Sequence, residues 1–226
     1  MKHILLLLSA WGLFLSCSSL PQVYPAGDSA DPLPARACGG LFPDGDWQLW
    51  HSIEATLPGG QKGFLMGLTV ISTADRTAHC VIMTLEGFVL FDAVYDKKIS
   101  VKRAIAPFDS EDFANGMMED LDLIFFKPTG SVVTSGFLKN GAAVCRYQKP
   151  DGRTVDIIRR KGHNWEIRQY LADYGLVRTV KFLSVEEPAI SGRKGISDKI
   201  ELYAHGAPGY ALVMDLVEAI PLINPP

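Results

Sequence analysis

Short segments of strand-like character, separated by turns, run through most of this 226-residue chain and limit its possible folds. There are eleven such strand-like segments, at 47–55, 64–70, 79–85, 88–93, 99–103, 142–148, 154–160, 165–170, 177–183, 199–204 and 210–218. Turn sequences such as Pro58-Gly59-Gly60 and Asp151-Gly152 separate them, and Asp-Gly readily adopts the positive φ of a tight hairpin. Strands that recur about every ten residues predict an antiparallel meander.

One helical segment interrupts the strand series. Its apolar residues recur at spacings of three and four, which places them on one face of a helix. This stripe consists of Phe113, Met117, Met118, Leu121, Ile124 and Phe125. Asp109, Glu111 and Asp112 are predicted in the first turn, where negative charge is favourable, and Pro128 is predicted to end the helix.

The segments between residues 64 and 93 are apolar on both faces, whereas a half-exposed antiparallel sheet is polar on one face. Either another part of the protein or a ligand must therefore cover the second face. An open twisted sheet of about ten or eleven strands curls rather than staying flat. The sequence predicts a mainly β, α+β fold: a curved antiparallel sheet or half-barrel of that size with the helix on its concave face.

The first 16 residues have the organisation of a secretory signal peptide. Met1-Lys2-His3 precedes an apolar run over residues 4–15, and the sequence Leu-Phe-Leu-Ser leads to Cys17. The run is shorter than the roughly 20 residues that a membrane-spanning helix needs. The motif resembles a bacterial lipobox, in which the signal is cut before a cysteine that carries fatty acyl chains such as palmitate. The alternative is an ordinary exported protein whose cysteine is there by chance.

Three parts are predicted along the chain: a lipoprotein signal peptide at 1–16, a lipidated N-terminus with a Pro-rich tether at 17–44, and a β-rich domain at 45–226. The segment from Ser18 to Asp44 contains five prolines, which favours a loose or polyproline II conformation. At about 3.1 Å per residue, such a tether would hold the domain tens of ångströms from a membrane.

The charge and cysteine content narrow the possible functions. The net charge is -3 without a basic stripe, which argues against a nucleic-acid partner. If Cys17 is acylated, three further cysteines remain: Cys38, Cys80 and Cys145. We interpret Cys80 and Cys145 as small buried strand residues in preference to a disulfide, which stays open as the alternative.

No catalytic or metal-binding pattern emerges. G-x-S-x-G, H-E-x-x-H and phosphate-loop motifs are missing from the sequence, so neither an enzyme nor a cofactor is expected. Glu119, Asp120 and Asp122 are interpreted as the solvated face of the helix. The basic cluster Arg159-Arg160-Lys161 is interpreted as an ordinary strand end, with contact to anionic headgroups as the alternative.

Several stretches together resemble the LolA/LolB-like superfamily, and most closely a family of bacterial outer-membrane lipoproteins resembling LolB. These stretches are 67–71, 83–92, 101–108 and the helical segment 113–126. The resemblance implies a curved sheet with helices on its inner face, enclosing a lipid-binding cavity. It also implies transport of lipoproteins or lipids to the outer membrane, with a periplasmic carrier protein as a partner.

An acylated Cys17 implies that this protein is the membrane-anchored receptor rather than the soluble carrier, located at the periplasmic face of the outer membrane. The known receptor has a protruding loop with an exposed apolar residue, and the nearest equivalent is the turn Glu86-Gly87-Phe88.

We therefore predict a lipoprotein that binds acyl chains or lipoprotein clients in an apolar cavity. Its predicted lining is Leu68, Met83, Leu90, Met117, Leu121 and Ile124. The alternative is a non-catalytic envelope lipoprotein for docking or assembly, whose second apolar face binds another protein. A hydrolase with an unrecognised site is the least favoured hypothesis.

Overall fold

The computed structural model describes residues 19–25, 39–184 and 193–222. These contain thirteen strands and one helix. The elements are β1 (Tyr24–Pro25), β2 (Asp46–Thr56), β3 (Lys62–Ser72), β4 (Thr77–Met83), β5 (Val89–Asp96), β6 (Lys98–Ala104), α1 (Glu111–Phe125), β7 (Ser131–Phe137), β8 (Ala143–Gln148), β9 (Thr154–Arg159), β10 (Trp165–Tyr170), β11 (Leu176–Leu183), β12 (Lys199–Ala204) and β13 (Tyr210–Pro221).

All thirteen strands form one antiparallel sheet in the order β1-β7-β8-β9-β10-β11-β12-β13-β2-β3-β4-β5-β6. The first long strand, β2, pairs with the last, β13, in the interior of the sheet. The helix α1 follows β6 at one edge and precedes β7 near the other edge. The chain between β6 and β7 must therefore cross one face of the sheet. The apolar stripe of α1 places the helix on the concave face.

The helix has the expected boundaries and a defined cap. Ser110 is the N-cap, and its Oγ accepts a hydrogen bond from the Phe113 backbone N–H at 3.1 Å. Glu111 and Asp112 occupy the first turn as predicted, whereas Asp109 precedes the cap. The last helical residue is Phe125, and the chain is extended at Phe126, ahead of Pro128.

The core lies between the helix and the concave face of the sheet. Leu49 on β2, Phe91 on β5 and Val180 on β11 are all 0% exposed and belong to one cluster with Leu121 and Ile124 of α1. Strands from both halves of the sheet thus pack around the same helix, so the sheet is curled. The predicted fold class is confirmed.

Two strands were missing from the prediction. Ser131–Phe137 forms β7, although its two valines are adjacent in sequence and do not alternate. Its backbone pairing with β8 stabilises a strand that the local sequence pattern did not indicate. The other strand, β1, lies within the predicted tether and pairs Tyr24 with Phe137.

The prediction of a loose tether from Ser18 to Asp44 is wrong for two parts of that segment. Val23 packs against the buried residue Val144, and Leu41 and Phe42 are only 2% and 6% exposed within the core. The rest of the tether, the signal peptide and Cys17 lie outside the described residues.

The bonding state of one of the two strand cysteines differs from our preferred interpretation. Cys80 is a buried free thiol, as expected, but Cys145 is disulfide-bonded. The chain contains two other cysteines, Cys17 and Cys38, and both lie outside the described residues.

Candidate functional site

An open cleft lies between the N-terminal half of α1 and the edge formed by β5 and β6. Its volume is about 560 Å³, and a second opening of about 400 Å³ shares Tyr95, Ile99 and Asn115 with it. Both volumes fall in the range of roughly 300–1,000 Å³ that is usual for small-molecule pockets. The apolar wall of the cleft consists of Tyr95, Ile99, Val101, Ala104, Phe108 and Ala114.

The two sides of the cleft carry opposite charges. Lys97 and Lys98 lie on the strand side, and Asp109 and Glu111 lie on the helix side. An elongated ligand with an apolar body and an anionic head would place the head beside the two lysines. The cleft therefore combines an apolar wall with charged groups that orient a ligand.

An aromatic cluster connects the cleft to the core. Phe108, on the cleft wall, meets Phe113 edge-to-face with a ring-centroid distance of 5.1 Å. Phe113 in turn meets Phe91 at 5.1 Å, with an angle of 83° between the rings. Such edge-to-face contacts stabilise the pairs beyond the area that they bury.

The space between the C-terminal turn of α1 and the sheet is nearly filled by side chains. A void lined by Leu49, Ile124, Phe125 and Phe182 has a volume of only about 10 Å³. That is close to the smallest void that holds one water molecule, about 10–15 Å³. The space at the cleft therefore does not continue beneath this end of the helix.

A buried polar cluster holds the middle of the helix to the sheet. Asp120 on α1 is 2% exposed and accepts a hydrogen bond from Arg178 Nε on β11 at 2.9 Å. The hydroxyl of Tyr210 on β13 donates a second hydrogen bond to the same carboxylate. We call Asp120, Arg178 and Tyr210 the helix clasp.

The helix clasp shifts the protonation of its own members. Burial raises the pKa of the Asp120 carboxyl, although the hydrogen bond from Tyr210 and the charge of Arg178 act in the opposite direction. Burial and the adjacent carboxylate raise the pKa of Tyr210. Burial disfavours the Arg178 charge, but Asp120 more than offsets this and raises its pKa.

A second ion pair lies beside the helix clasp. Arg76 Nη2 contacts Asp122 Oδ1 at 2.5 Å, and its Nη1 donates to the Lys127 carbonyl at 2.8 Å. A weaker, more exposed pair joins Arg153 to Glu119 at 3.1 Å. The interpretation of the three acidic residues as a solvated face is therefore wrong for Asp120, which is buried, whereas the Glu119 side chain is 49% exposed.

The structure separates the predicted lining residues into two groups. Leu121 and Ile124 are buried in the core, and Met117 packs against it. Met83, Leu68 and Leu90, by contrast, lie outside the core cluster. The predicted lining is therefore not assembled around one cavity.

The separation follows from the alternation of side chains along a strand. Leu68 pairs with Trp50 and Val81, neither of which is in the core cluster, and Met83 pairs with Met66. Leu90 precedes Phe91 on the same strand, so the two side chains point to opposite faces.

Sequence reasoning missed the residues that form the cleft, but it contained a signal for the helix clasp. Asp120 lies three residues after Met117 and four before Ile124, inside the apolar stripe rather than opposite it. Ile99 and Tyr95 flank a segment that was interpreted only as a turn between strands. Nothing in their local pattern indicates that α1 leaves space beside them.

The turn between β4 and β5 exposes two apolar side chains. Leu85 is 62% exposed and Phe88 is 52% exposed, and the Arg103 guanidinium lies 5.2 Å from the Phe88 ring centroid. Gly87 has a φ of 88°, which the tight turn requires. The turn singled out by the resemblance is therefore solvent-exposed.

The described residues contain neither a cluster of metal ligands nor a helix that could span a membrane. Within residues 19–25, 39–184 and 193–222, no three His, Cys, Asp or Glu side chains are grouped to hold a metal ion. In the same ranges, no helix combines the length and the apolar character needed to cross a bilayer.

Comparison with solved structures identifies the fold. The LolA superfamily protein NE2245 from Nitrosomonas europaea superposes with a TM-score of 0.57 at 11% sequence identity, covering 85% of this chain and 93% of that one. The protein has the LolA-superfamily fold. This LolA-like fold agrees with the resemblance carried by the sequence, and at this identity the match shows the fold alone.

A domain from Vibrio parahaemolyticus, named as an outer membrane lipoprotein-sorting protein, matches with a TM-score of 0.49 at 8% identity, covering 83% of this chain and 90% of that one. We assign the LolA-like fold from the first match only. No family model matches the sequence, and no curated protein matches it either.

Proposed function

We propose that this protein is a lipid-anchored lipoprotein of the outer membrane that binds acyl chains in the cleft between α1 and β6. Through this cleft it accepts or carries lipoproteins or lipids. The observation that carries the proposal is the cleft itself, which opens along an apolar wall beside a helix that otherwise seals the concave face. Apolar burial acts without directional chemistry and needs no catalytic group.

The helix is suited to act as a movable cover for a longer chain. Its contacts with the sheet include the helix clasp, whose polar groups regain hydrogen bonds with water when the helix lifts. The net contribution of hydrogen bonds to charged groups such as these is about 1.5–3 kcal/mol each. An entering acyl chain would replace the apolar contacts of Met118 and Leu121, which are buried against the sheet.

Direct binding to the cleft can be tested with the full-length protein. A fluorescent fatty acid should bind saturably, and Ile99→Trp should abolish binding because Ile99 lines both openings. Leu171→Trp is the matched control, since Leu171 is 43% exposed in a turn outside the cleft. No saturable binding, or equal binding by both variants, would exclude the cleft as the acyl site.

The anchor can be tested separately. Metabolic labelling with a palmitate analogue should modify the protein, and Cys17→Ala should abolish the labelling. Because Cys80 is a free thiol and Cys145 is disulfide-bonded, an acylated Cys17 leaves Cys38 as the partner of Cys145. Non-reducing peptide mapping should therefore find Cys38 joined to Cys145, and a bridge to Cys17 would refute the anchor.

A second candidate function is docking to another envelope protein. The observation that favours it is the exposure of Phe64, Leu85 and Phe88, which are 59%, 62% and 52% exposed. Crosslinking in cells distinguishes the two functions, because docking predicts one stoichiometric protein partner whereas carrying predicts many transient lipoprotein clients.

A further inference from the structure

The N-terminal segment is fixed to the convex face of the sheet. The Pro21 carbonyl accepts a hydrogen bond from Arg146 Nη2 at 2.9 Å, and Val23 packs against Val144. Arg146 alternates along β8 with Cys145 and Tyr147, which face the core on the helix side. The segment therefore lies on the face of the sheet opposite the helix.

This attachment limits how far the domain can be from an anchor at Cys17. Cys17 and Pro21 are four positions apart, and an extended chain spans at most about 3.6 Å per residue. The Cys17 Cα thus lies within about 14 Å of Pro21. If Cys17 is acylated, as the proposed function requires, the bilayer surface must lie close to this side of the domain.

A basic groove with apolar walls adjoins the N-terminal segment at this edge of the sheet. Its volume is about 770 Å³, and it lies between the β7–β8 turn and the β9–β10 turn. The groove is lined by Phe137, Asn140, Gly141, Ala142, Ala143, Arg159, Arg160, Lys161 and Asn164. Phe137 also pairs with Tyr24, so the groove adjoins the fixed N-terminal segment.

The charge of this groove is largely uncompensated. Arg160 is held by the buried carboxylate of Glu166 at 2.5 Å, and Arg159 lies 5.8 Å from the Trp165 ring centroid. Lys139 and Lys161 are exposed, and within the described ranges neither forms an ion pair. The flexible lysine side chains are therefore available to a ligand with negative charge.

Exposed apolar side chains lie along the same edge of the sheet. Tyr24 and Phe137 are 44% and 36% exposed beside the groove, and Val132 and Val133 are 48% and 52% exposed further along β7. A mixture of apolar and basic side chains next to an acyl anchor is the combination that holds a protein at an anionic membrane surface. A protein partner would not account for the short distance to the anchor.

We infer that Tyr24, Phe137, Lys139, Arg159 and Lys161 form an anchor face that rests on the bilayer and binds the phosphates of anionic phospholipid headgroups. The anchor face acts as a second membrane signal beside the acyl chains. It also fixes the orientation of the domain, with the β7–β8 and β9–β10 turns toward the bilayer.

The test uses the full-length acylated protein in vesicles and measures backbone hydrogen exchange. On vesicles of phosphatidylcholine with phosphatidylglycerol, the turns 138–142 and 160–164 should exchange more slowly than in neutral detergent micelles. The double variant Lys139→Glu, Lys161→Glu should lose this protection, since each basic residue near an anionic surface contributes about fivefold in binding. The control Lys62→Glu, Lys102→Glu changes the net charge equally and should retain the protection.

Three results would overturn the anchor face: equal exchange in vesicles and micelles, equal protection on pure phosphatidylcholine, or loss of protection in the control variant as well. If the protein does not float with the vesicles, the anchor at Cys17 has failed, and with it the anchor face. Fatty-acid uptake by the same samples reports on the cleft independently, so the two proposals can fail separately.

Discussion

Arg146 and Asp156 form a bidentate ion pair on the convex face of the sheet, with Nε–Oδ1 and Nη2–Oδ2 distances of 2.7 and 2.8 Å. The Asp156 side chain is fully buried, and the Arg146 side chain is 12% exposed. The hydrogen bond with Asp156 raises the pKa of the guanidinium. The same guanidinium binds the Pro21 carbonyl, so one side chain neutralises a buried charge and holds the N-terminal segment.

Replacing Arg146 with Met should destabilise the protein strongly, because Asp156 would keep a buried charge without a partner. Breaking a buried ion pair in this way costs about 3–5 kcal/mol. The free energy of unfolding, measured by urea denaturation, should fall by this amount. The double variant Arg146→Met, Asp156→Leu should recover most of the loss, since removal of both charges is often nearly neutral. A double variant as unstable as the single one would contradict this explanation.

Gly136→Ala should displace the N-terminal segment from the sheet. A Cβ at this position would lie 2.1 Å from the Tyr24 carbonyl oxygen, which belongs to the backbone and cannot move aside without breaking the β1–β7 pairing. We expect a loss of about 1–3 kcal/mol in unfolding free energy, as for other overpacked sites. Faster hydrogen exchange or proteolysis at residues 19–25 would show the displacement. Gly63→Ala is the control, since no atom lies within 4 Å of its added Cβ.

Tyr210→Phe should loosen the helix clasp without unfolding the domain. The variant removes one hydrogen bond to Asp120 and retains the aromatic ring. A loss of about 1.5 kcal/mol, as for a hydrogen bond to a charged group, corresponds to roughly tenfold more frequent opening of the helix, which hydrogen exchange along α1 would detect. Fatty-acid uptake should become faster in the same variant. Tyr203→Phe removes a hydroxyl that binds Glu201 at 3.0 Å, away from the helix, and should leave both rates unchanged.

His51 should make the protein less stable in mild acid. Its side chain is 3% exposed and lies 6.4 Å from the Phe125 ring centroid, and burial lowers its pKa from 6.5 to about 4, although Asp215 acts in the opposite direction. Between these values the unfolded chain binds more protons than the folded protein. Stability should therefore fall as the pH falls from 6.5 towards 4, by about 2 kcal/mol at pH 5.

The contribution of His51 can be isolated by comparison with His51→Gln. Asp120 acts in the opposite direction, because its raised pKa means that stability falls as the pH rises through that value. The difference in urea stability between wild type and variant removes this shared effect. An equal pH dependence in both proteins would show that His51 is not the responsible group.

Local pattern was sufficient to predict eleven of the thirteen strands and the helix. Short strand-like runs between turns identified these strands, and the spacing of Phe113, Met117, Leu121 and Ile124 identified α1. Both signals act within a few residues, so they are readable from the chain alone. The mainly β class and the position of the helix follow, because an apolar helix must be buried against the largest apolar face available.

Contacts between residues far apart in the sequence decided which side chains face the helix and which charges are buried. The alternation of β3 was visible in the sequence, but it did not show which face would meet the helix, so Leu68 was placed in the cavity although it lies on the other face. In the same way, Asp120 was read as solvated because its partners Arg178 and Tyr210 lie 58 and 90 residues further along the chain.

The sequence by itself determined the elements of this protein, its signal-like N-terminus and its lack of a recognisable catalytic motif. The tertiary structure decided where the cleft opens, which charges are buried, and that residues 19–25 lie on the sheet instead of forming a tether. The physical reason is that the local pattern of apolar residues shows which side chains must be buried. Which side chains they contact depends on how the whole sheet closes around one helix.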